Sequence, residues 1–467
     1  MNIRLLAAVW VARLLAWLLR LAGRRATSLP GLAAMRVCPG LPGLLLRQLD
    51  LLALVTGTNG KTTTTAMLRA MLAETGGEWI SNEIGANLMQ GVAAALLAHA
   101  DWRGRLRARR AVLEVDEATL PRLAALRTPT LIVVTNVLRD QLDRYGEIDQ
   151  ALAHLRAGLQ NPAAAAVLNA DDPLSASLGR ERELTYYYGV EALPAAAGAP
   201  QGEVRDGAFC LLCGLELVYE RVISGQMGAY RCPAGHFARP RPHFAAVLEE
   251  GGKVRAADGM AGPDACLEYE FAAPVHGLYN YYNLLAAACA ARALGCGPRQ
   301  IERGAAAYRA PTGRMQVFPG EPRRILTLIK NPAGADAVLR ALEREPGPKR
   351  ICFAINDADA DGRDVSWLWD IDLESFVPRS RCREWYCAGL RREDMALRLA
   401  YAGVERSAIA LVADLDAAAA IGSEGGGAPD VHILSTYTAL HALADRLSAA
   451  ARSAADADAR REGGTAS

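Results

Sequence analysis

The residues with the clearest chemistry form the stretch 56–63, which is Thr-Gly-Thr-Asn-Gly-Lys-Thr-Thr. An apolar run at 51–55 precedes it and predicts a short buried strand, while the glycine-free and proline-free segment 64–72 predicts a helix. A strand, a glycine-rich turn, a Lys-Thr pair and a helix in this order are typical of a phosphate-binding loop. Gly57 and Gly60 would let the backbone approach an anion, and the N–H groups at the helix start would point at it.

Each polar side chain near this turn has a predicted role. Lys61 would place a cation on the outer phosphates of ATP, and the Thr62 hydroxyl would bind Mg²⁺. Glu114 stands near the end of a predicted strand at 111–117, where a carboxylate can complete a Mg²⁺ site. The alternatives are a plain strand-to-helix turn with a surface lysine, and a solvated strand-end acid beside Asp116 and Glu117.

Strands and helices alternate on both sides of the loop. Further strands are predicted at 131–136 and 164–168, and polar residues follow each of them. This layout is typical of a parallel α/β sheet with its site at the carboxyl edge. A second alternation, a separate nucleotide-fold-like domain, has predicted strands at 325–329, 350–355, 384–388, 408–412 and 431–435.

The length of 467 residues predicts two or three domains. The formal net charge of +1 gives no general indication of nucleic-acid binding. Ten cysteines are widely scattered, which favours a reducing cytosol over a secreted disulfide scaffold. The predicted divisions are an N-terminal lead-in at 1–48, a central domain at 49–310, a C-terminal domain at 311–453, a linker at 190–205 and a disordered tail at 454–467.

Residues 5–22 predict an amphipathic helix at the N-terminus. The run is apolar, but Arg13 interrupts it, and Arg20, Arg24 and Arg25 follow. A central arginine disfavours a membrane span, and no clean small-residue cleavage site follows. Periodicity alone leaves two alternatives open: the helix lies on the inner surface of the cell membrane, or it packs its apolar face on the protein.

Cysteine spacing predicts a small inserted metal module at about 205–240. A Cys-Leu-Leu-Cys pair at Cys210 and Cys213 is followed, after eighteen residues, by Cys232 and by His236. Two turns that converge on one ion are typical of a zinc ribbon, and a closed tetrahedral site would be structural. His236 is the available fourth ligand, and ordinary free thiols are the alternative.

Six motifs, taken together, resemble the Mur ligase family over about residues 50–335. They lie in the family's order and spacing at Gly57–Thr63, Glu114, Thr135–Gly146, Leu168–Pro173, Gly277–Asn283 and Gly313–Arg314. The resemblance implies a Mur ligase-like central P-loop domain with the zinc-ribbon-like insertion, followed by a C-terminal Rossmann-like α/β domain. These ligases use ATP and Mg²⁺ to convert a carboxylate into an acyl phosphate, which an amine then attacks.

Within that family the chain most resembles the MurT group, the ligase-like subunits of lipid II isoglutaminyl synthase. The insertion, a Lys-Asn-Pro-Ala-Gly run at 330–334 and the acidic stretch at 356–367 carry this closer likeness. It implies that ammonia from a GatD-like class I glutaminase subunit amidates the α-carboxylate of the stem-peptide glutamate of lipid II. Ala234 stands about where that group's fourth cysteine belongs.

The resemblance also implies roles for residues outside the loop. Asn280 and Asn283 are suited to the adenine or ribose, with helix capping as the alternative. Arg314 could contact the γ-phosphate or form a surface salt bridge. The implied nucleotide-binding residues are Gly57, Thr58, Asn59, Gly60, Lys61, Thr62, Thr63, Asn280, Asn283 and Arg314.

Asp364 is the residue that the resemblance connects to a partner. No cysteine lies in a Gly-x-Cys-x-Gly elbow, so ammonia must come from solution or from another subunit. By resemblance, Asp364 completes a Cys-His pair on the glutaminase and orients its histidine. The alternative is a loop acid that pairs with Arg363 or caps the next helix.

Three functions compete at this point. The first is an amidotransferase synthetase subunit, which the Asp-Gly-Arg-Asp stretch at 361–364 favours. The second is a stand-alone ligase that adds an amino acid to a carboxylate, and the third is a non-catalytic nucleotide-binding scaffold. Lys61, Thr62 and Glu114 together argue against the scaffold.

Overall fold

The structure is a computed structural model of the whole chain, and it divides into two compact units. The first comprises Met1–Leu138, Glu147–Val275 and Tyr279–Arg309, and the second comprises Arg139–Gly146, His276–Leu278 and Ala310–Ser467. The residues described here are 3–22, 27–82, 85–138, 148–193, 206–249, 253–260, 266–271, 277–310, 313–422 and 429–463, with side chains described as far as 452.

A nine-stranded mixed sheet forms the centre of the first unit. Its spatial order is β11-β10-β9-β6-β5-β4-β1-β3-β2. The pairs from β2 to β9 are parallel, whereas β9, β10 and β11 form an antiparallel edge. The strands are β1 Leu51–Thr56, β2 Trp79–Ile80, β3 Arg110–Glu114, β4 Leu131–Val134, β5 Ala165–Asn169, β6 Thr185–Ala192, β9 Phe244–Leu248, β10 Val254–Asp258 and β11 Leu267–Phe271.

Helices cover both faces of the parallel strands, which explains why β1 and β4 are apolar without alternation. The helices are α1 Ile3–Leu21, α2 Leu29–Val37, α3 Leu41–Leu46, α4 Lys61–Ala73, α5 Met89–Ala98, α6 Leu120–Leu126, α7 Ile148–Gly158, α8 Pro173–Ser177, α9 Leu278–Ala293 and α10 Pro298–Ala307. Gly304 lets α10 approach the loop helix α4 at backbone distance, because a Cβ there would lie 2.3 Å from the Met71 Cα.

The N-terminal helices belong to the core of this unit. Ala8, Val9 and Ala12 of α1 are buried, together with Ala34 of α2 and Leu45 of α3. Of the two alternatives for the N-terminal helix, packing on the protein is therefore observed, but only for one face of α1. Among the described residues, no helix has the length and apolarity that crossing a bilayer requires.

A two-stranded hairpin lies between β6 and β9 in sequence. Its strands are β7 Val218–Ser224 and β8 Met227–Arg231, and they pair antiparallel outside the large sheet. Cys210, Tyr230 and Cys232 form a small separate core with Ala176 of α8. The predicted insertion is thus a compact hairpin with its own core, seated on the edge of the first unit.

The second unit is a six-stranded sheet with helices on both sides. Its order is β12-β13-β17-β14-β15-β16, and all neighbours are parallel except β12 with β13. The strands are β12 Gln316–Phe318, β13 Arg324–Leu328, β14 Lys349–Ala354, β15 Cys382–Ala388, β16 Ile409–Leu411 and β17 Val431–Ser435. The helices are α11 Pro332–Arg344, α12 Leu373–Phe376, α13 Arg392–Tyr401, α14 Leu415–Ala419 and α15 Tyr437–Gly463, with 3₁₀ turns at Ser366–Asp370, Val377–Arg379 and Arg406–Ala408.

Three sequence expectations need correction. The strand expected at 111–117 ends at Glu114, because the acidic residues leave the sheet at its carboxyl edge. The tail expected to be disordered from 454 begins inside α15, which continues to Gly463, since its alanines and arginines are good helix formers. The linker expected at 190–205 begins inside β6, which continues to Ala192, and positions 194–205 lie outside the described residues.

Candidate functional site

The loop between β1 and α4 depends on two glycines with left-handed backbone angles. Gly57 has φ of 116° and Gly60 has φ of 85°. A Cβ at Gly57 would lie 2.4 Å from the Thr135 Oγ1, and one at Gly60 would lie 2.0 Å from the Asn283 Oδ1. A residue with a Cβ would be strained at these backbone angles and would clash with its neighbours, so both positions require glycine. The result is a narrow backbone cradle at the N-terminus of a 13-residue helix.

Residues that follow β4 hold this cradle in shape. The Asn136 side chain makes two bonds to Asn59, accepting from its N–H at 3.0 Å and donating to its carbonyl at 3.0 Å. The Thr135 hydroxyl donates to the Asn59 carbonyl at 2.7 Å. Thr58 and Leu138 are joined by hydrogen bonds of 3.0 Å in both directions between the Thr58 hydroxyl and the Leu138 backbone. The Thr-Asn motif of the resemblance thus clamps the loop.

Lys61 forms a buried ion pair that the sequence did not predict. Its Nζ lies 3.1 Å from the Glu117 Oε1, both side chains are about nine-tenths buried, and it also donates to the Gly57 and Thr58 carbonyls. Glu114 was the acid singled out from the sequence, whereas Glu117 is the one paired with the loop lysine. The only sequence signal for Glu117 was the group of three acids at 114, 116 and 117. In the structure, Glu114 lies beside Val55 of β1 in parallel register, and this brings the residues after Glu114 to the loop.

Glu114 is also buried, and it faces asparagines. Its Oε1 accepts from the Asn87 Nδ2 at 3.2 Å, and its backbone N–H and carbonyl both bond to the Asn82 side chain at 2.8 Å. The Thr62 hydroxyl belongs to the first turn of α4, at the end of the neighbouring strand. Hydroxyl and carboxylate oxygens at one sheet edge are a donor set that fits Mg²⁺.

Asn280 and Asn283 lie against the phosphate loop. The Asn283 Oδ1 accepts from the Thr64 hydroxyl at 3.3 Å, and its Nδ2 donates to the Asn280 Oδ1 at 3.3 Å. Both side chains are buried. The Asn283–Thr64 bond joins α9 to the first turn of α4. The role of Asn280 and Asn283 toward adenine or ribose stays a prediction.

The Leu168–Pro173 motif anchors the inserted hairpin. The Asp172 carboxylate accepts from the Gln226 Nε2 at 2.6 Å, from the Val137 N–H at 2.8 Å and from the Leu174 N–H at 3.1 Å. Burial raises the pKa of Asp172 to about 6, although these donors oppose the rise. Gln226 occupies the hairpin turn, so the insertion is fixed directly to the carboxyl edge of the sheet.

Asp171, the neighbouring carboxylate, ties three elements together. It is fully buried, and it lies 2.6 Å from the Arg239 Nε, 2.7 Å from the Val190 N–H and 2.7 Å from the Tyr282 hydroxyl. Arg239 follows the hairpin, Val190 belongs to β6 and Tyr282 to α9. Removing Arg239 would leave the Asp171 charge buried and unpaired, which is a strongly destabilising change.

The four predicted zinc ligands converge on one point. Their ligand atoms, from Cys210, Cys213, Cys232 and His236, all lie within 4.8 Å of one another. The Cys213 and Cys232 sulfurs are 3.5 Å apart, and the Cys232 Sγ is 3.9 Å from the His236 Nδ1. Soft thiolates with one imidazole in a compact group fit Zn²⁺ better than Mg²⁺.

Two similar turns build this cluster. In the first, the Cys210 N–H donates to the Leu215 carbonyl at 2.8 Å; in the second, the Cys232 N–H donates to the Phe237 carbonyl at 2.7 Å. Each turn also contains a left-handed glycine, Gly214 or Gly235. In the first turn the second ligand, Cys213, lies three residues after Cys210. In the second turn it lies four residues after Cys232, so His236 reaches the cluster, whereas Ala234 has no ligand atom.

In the second unit, a loop after β14 carries Asp364. The Asp364 carboxylate is exposed and accepts two bonds from Ser366, from the N–H at 2.8 Å and from the hydroxyl at 2.9 Å. These bonds to the charged form lower the pKa of Asp364. Arg363 pairs with Asp359 at 2.7 Å, so the Arg363 alternative for Asp364 is wrong. Asp364 bonds the N–H of Ser366, the first residue of the 3₁₀ turn, although the N-cap position of that turn is Val365.

The same loop is fastened to its own sheet. Asp361 accepts from the Thr438 N–H at 2.7 Å and from its hydroxyl at 2.5 Å, and Asn356 donates to the Thr438 Oγ1 at 2.9 Å. The loop therefore presents Asp364 from a defined position at the carboxyl edge of β14. Arg314 is half-buried in this unit, and its predicted phosphate contact stays a prediction.

Some predicted residues lie outside the described part of the chain. These are Arg24 and Arg25 of the N-terminal segment and the 139–146 part of the Thr135–Gly146 motif.

Comparison with known proteins places both units in one family. The Mur ligase middle domain matches residues 55–201, and the MurT ligase C-terminal domain matches residues 328–440. The chain is 33% identical over 402 residues to the MurT subunit of lipid II isoglutaminyl synthase (glutamine-hydrolyzing) from Staphylococcus aureus strain COL, covering 85% of this chain and 88% of that one. It is also 33% identical over 421 residues to the subunit of that name from Streptococcus pneumoniae, covering 89% and 91%.

Solved structures agree on the fold. A pseudomurein peptide ligase type C from Methanothermus fervidus matches with a TM-score of 0.65 at 24% identity, covering 84% of this chain and 77% of that one. MurF from Acinetobacter baumannii matches with a TM-score of 0.60 at 17% identity, covering 90% and 81%. The Mur ligase-like α/β fold expected from the sequence is thereby confirmed.

The first prediction concerns the loop. Lys61→Ala and Glu114→Ala should each lower ATP-dependent turnover roughly a hundredfold or more, because each removes a charge from the phosphate or metal site. Lys253→Ala, at an exposed lysine before β10, is the matched control and should keep normal turnover. Near-normal turnover of both site variants, with unchanged thermal unfolding, would contradict the assignment.

The second prediction concerns the cluster. Metal analysis of the purified protein should find about one zinc per chain, because closed Cys/His sites bind zinc tightly at neutral pH. His236→Ala should reduce the zinc content, whereas Cys266→Ala, at an exposed cysteine outside the cluster, should not. A metal-free protein in which Cys210, Cys213 and Cys232 all titrate as free thiols would rule out the metal module.

Proposed function

The chain belongs to the MurT group of the Mur ligase family, and from that membership we propose that it is the ATP-dependent synthetase subunit of a glutamine amidotransferase. It activates the α-carboxylate of the stem-peptide D-glutamate of lipid II as an acyl phosphate, and ammonia then displaces the phosphate to give D-isoglutamine. The observation that carries the proposal is the clamped phosphate loop with a buried lysine and two buried acids in a chain of this family. The enzyme is a carbon–nitrogen ligase.

Phosphoryl transfer to a carboxylate needs charge neutralisation more than covalent chemistry from the protein. The loop N–H groups and Lys61 are suited to the phosphates, and Thr62 and Glu114 to Mg²⁺. Bound Mg²⁺ supplies charge that neutralises the phosphates as they react. We infer that the ion pair with Glu117 holds Lys61 close to its working position.

The nucleotide and metal assignments extend over further residues. We propose that Gly57, Thr58, Asn59, Gly60 and Thr63 contact phosphates and that Asn280, Asn283 and Arg314 complete the nucleotide site. We propose a structural role for Zn²⁺ at the Cys/His cluster, since four protein ligands would close the site. The domain division at 49–310 and 311–453 is kept as a proposal, and the start of the second compact unit at Ala310 supports it.

The stand-alone ligase is the second candidate function. It would take an amino acid, not ammonia, as the nucleophile, as in ordinary Mur or folylpolyglutamate enzymes. The match of the second unit to the MurT C-terminal domain favours the amidotransferase. The relatives are named as subunits of a glutamine-hydrolysing enzyme, which favours a partner that supplies ammonia.

We infer that the partner is a GatD-like class I glutaminase and that it docks on the second unit around Asp364. The exposed, ionised carboxylate would hold the partner's catalytic histidine in the tautomer that accepts the cysteine proton. Its two bonds to Ser366 fix the direction of the carboxylate. The complex would work in the cytoplasm at the inner face of the membrane, where lipid II is made available.

The third prediction separates this role from the ATP site. Asp364→Asn keeps the shape and an acceptor for Ser366 but removes the charge that stabilises an imidazolium. Amidation with glutamine should fall by about three orders of magnitude or more, while amidation with ammonium chloride stays near normal and the complex stays assembled.

Two controls accompany this variant. Asp359→Asn, at an exposed acid in the same loop that pairs with Arg363, should keep both activities. Ser366→Ala removes only the hydroxyl donor and should have a small effect. A parallel fall of both activities in Asp364→Asn would assign the residue to the ATP reaction or to folding.

A further inference from the structure

Helix α1 carries two apolar faces, and the fold covers only one of them. The inner face contributes Ala8, Val9 and Ala12 to the core of the first unit. On the opposite side, at helical spacing, lies a stripe that we call the N-terminal apolar face: Ile3, Trp10, Leu14, Trp17 and Leu21.

The N-terminal apolar face is exposed along its whole length. Trp10 is 60% exposed and Trp17 is 57% exposed, and the other three members are exposed to a similar or greater degree. Val11 and Leu18 widen the stripe on one side. A contiguous exposed apolar patch of this length, with two tryptophans, marks an interaction surface.

A loop beside α1 also exposes a tryptophan. The Arg13 Nη2 donates to the Ala100 carbonyl at 2.6 Å, and Leu5 packs over Gly104, so the loop at 100–106 lies beside α1. Trp102 in this loop is 50% exposed, and the Arg103 guanidinium stands 4.3 Å from its ring centre. Tryptophan and arginine side chains of this kind are enriched where a protein meets lipid head groups.

The charged side chains of the N-terminal segment all have one sign, whereas the loop at 100–106 contains one acid, Asp101, whose carboxylate accepts from the Arg103 and Arg105 N–H groups. The first 49 residues contain seven arginines and no aspartate or glutamate; the first acid is Asp50. Within α1, Arg13 and Arg20 flank the N-terminal apolar face on one side, seven residues apart, and Arg4 lies on the other. Long arginine side chains can keep their charge at the head groups while the apolar stripe enters the interface.

We propose that the N-terminal apolar face docks in the interfacial layer of an anionic lipid bilayer. The helix would lie in the plane of the membrane, with Trp10 and Trp17 between the head groups and acyl chains and with the arginines on anionic lipids. The biological reason for such docking rests on the proposed function, because a lipid-linked substrate is presented at a bilayer surface. The surface itself is defined by exposure and charge alone.

A second copy of the chain is the main rival occupant. The spacing of the stripe is that of a two-stranded coiled coil, with Arg13 and Arg20 on its flank. In a parallel homodimer this flank would offer arginine with no acid in the helix to pair with. Charge complementarity therefore favours anionic lipid over a second copy.

The test is vesicle binding by the full chain, measured by flotation with phosphatidylcholine vesicles and with vesicles containing phosphatidylglycerol. We expect at least tenfold stronger binding to the anionic vesicles, weakened by salt, and at least a tenfold loss in the double variant Trp10→Glu with Trp17→Glu. The matched control is Val317→Glu with Leu411→Glu, two apolar residues of the second unit that are each 55% exposed. It should bind vesicles like the unaltered chain.

Amidation assays separate this inference from the proposed function. The Trp10/Trp17 variant should amidate a detergent-solubilised substrate normally but lose activity on substrate embedded in vesicles. If no substrate is amidated by the unaltered chain, the proposed function fails while vesicle binding still tests the surface. Absence of binding to anionic vesicles would overturn the inference, and so would a dimer in solution that the double variant dissociates.

Discussion

The phosphate loop exists in this chain only because two glycines can accept left-handed angles in very small spaces. Gly57 is closed in by Thr135, and Gly60 by Asn283. Hydrogen bonds from the residues after β4 fix the shape of the loop, since Asn136 bonds both the N–H and the carbonyl of Asn59 and Thr135 bonds the carbonyl. Donors that are already oriented need little rearrangement as charge develops, which is the main source of electrostatic catalysis.

Buried carboxylates organise the rest of the sheet edge, each with a different partner. Glu117 forms an ion pair with Lys61, and Asp171 bonds Arg239 and Tyr282. Asp172 accepts a hydrogen bond from Gln226 in the hairpin turn. Asp171 and Asp172 explain why the hairpin belongs to the first unit although it pairs with no strand of the sheet. A metal ion at the Cys/His group would stabilise the hairpin, and the hairpin turn would steady the strand ends.

The sequence predicted the loop, the parallel strands and the second α/β unit because their signals are local. The strand predicted at 431–435 agrees with the structure to the residue, since its apolar run and flanking polar residues mark its ends. The role of Glu117 depended on strand register, which the acids at 114–117 do not reveal by themselves. The anchoring of Gln226 depended on tertiary packing, which leaves no pattern along the chain. The uncovered face of α1 was undecided for the same reason, because an apolar stripe does not show which side is buried.

The central claim is that the buried edge of the first unit converts a carboxylate into an acyl phosphate at the expense of ATP. The most direct measurement is the fate of ¹⁸O placed in the substrate's glutamate α-carboxylate during amidation with ammonium and ATP. An acyl phosphate passes one labelled oxygen to the inorganic phosphate for each amide formed. Label in AMP, or amide formation with unlabelled phosphate, would contradict the account.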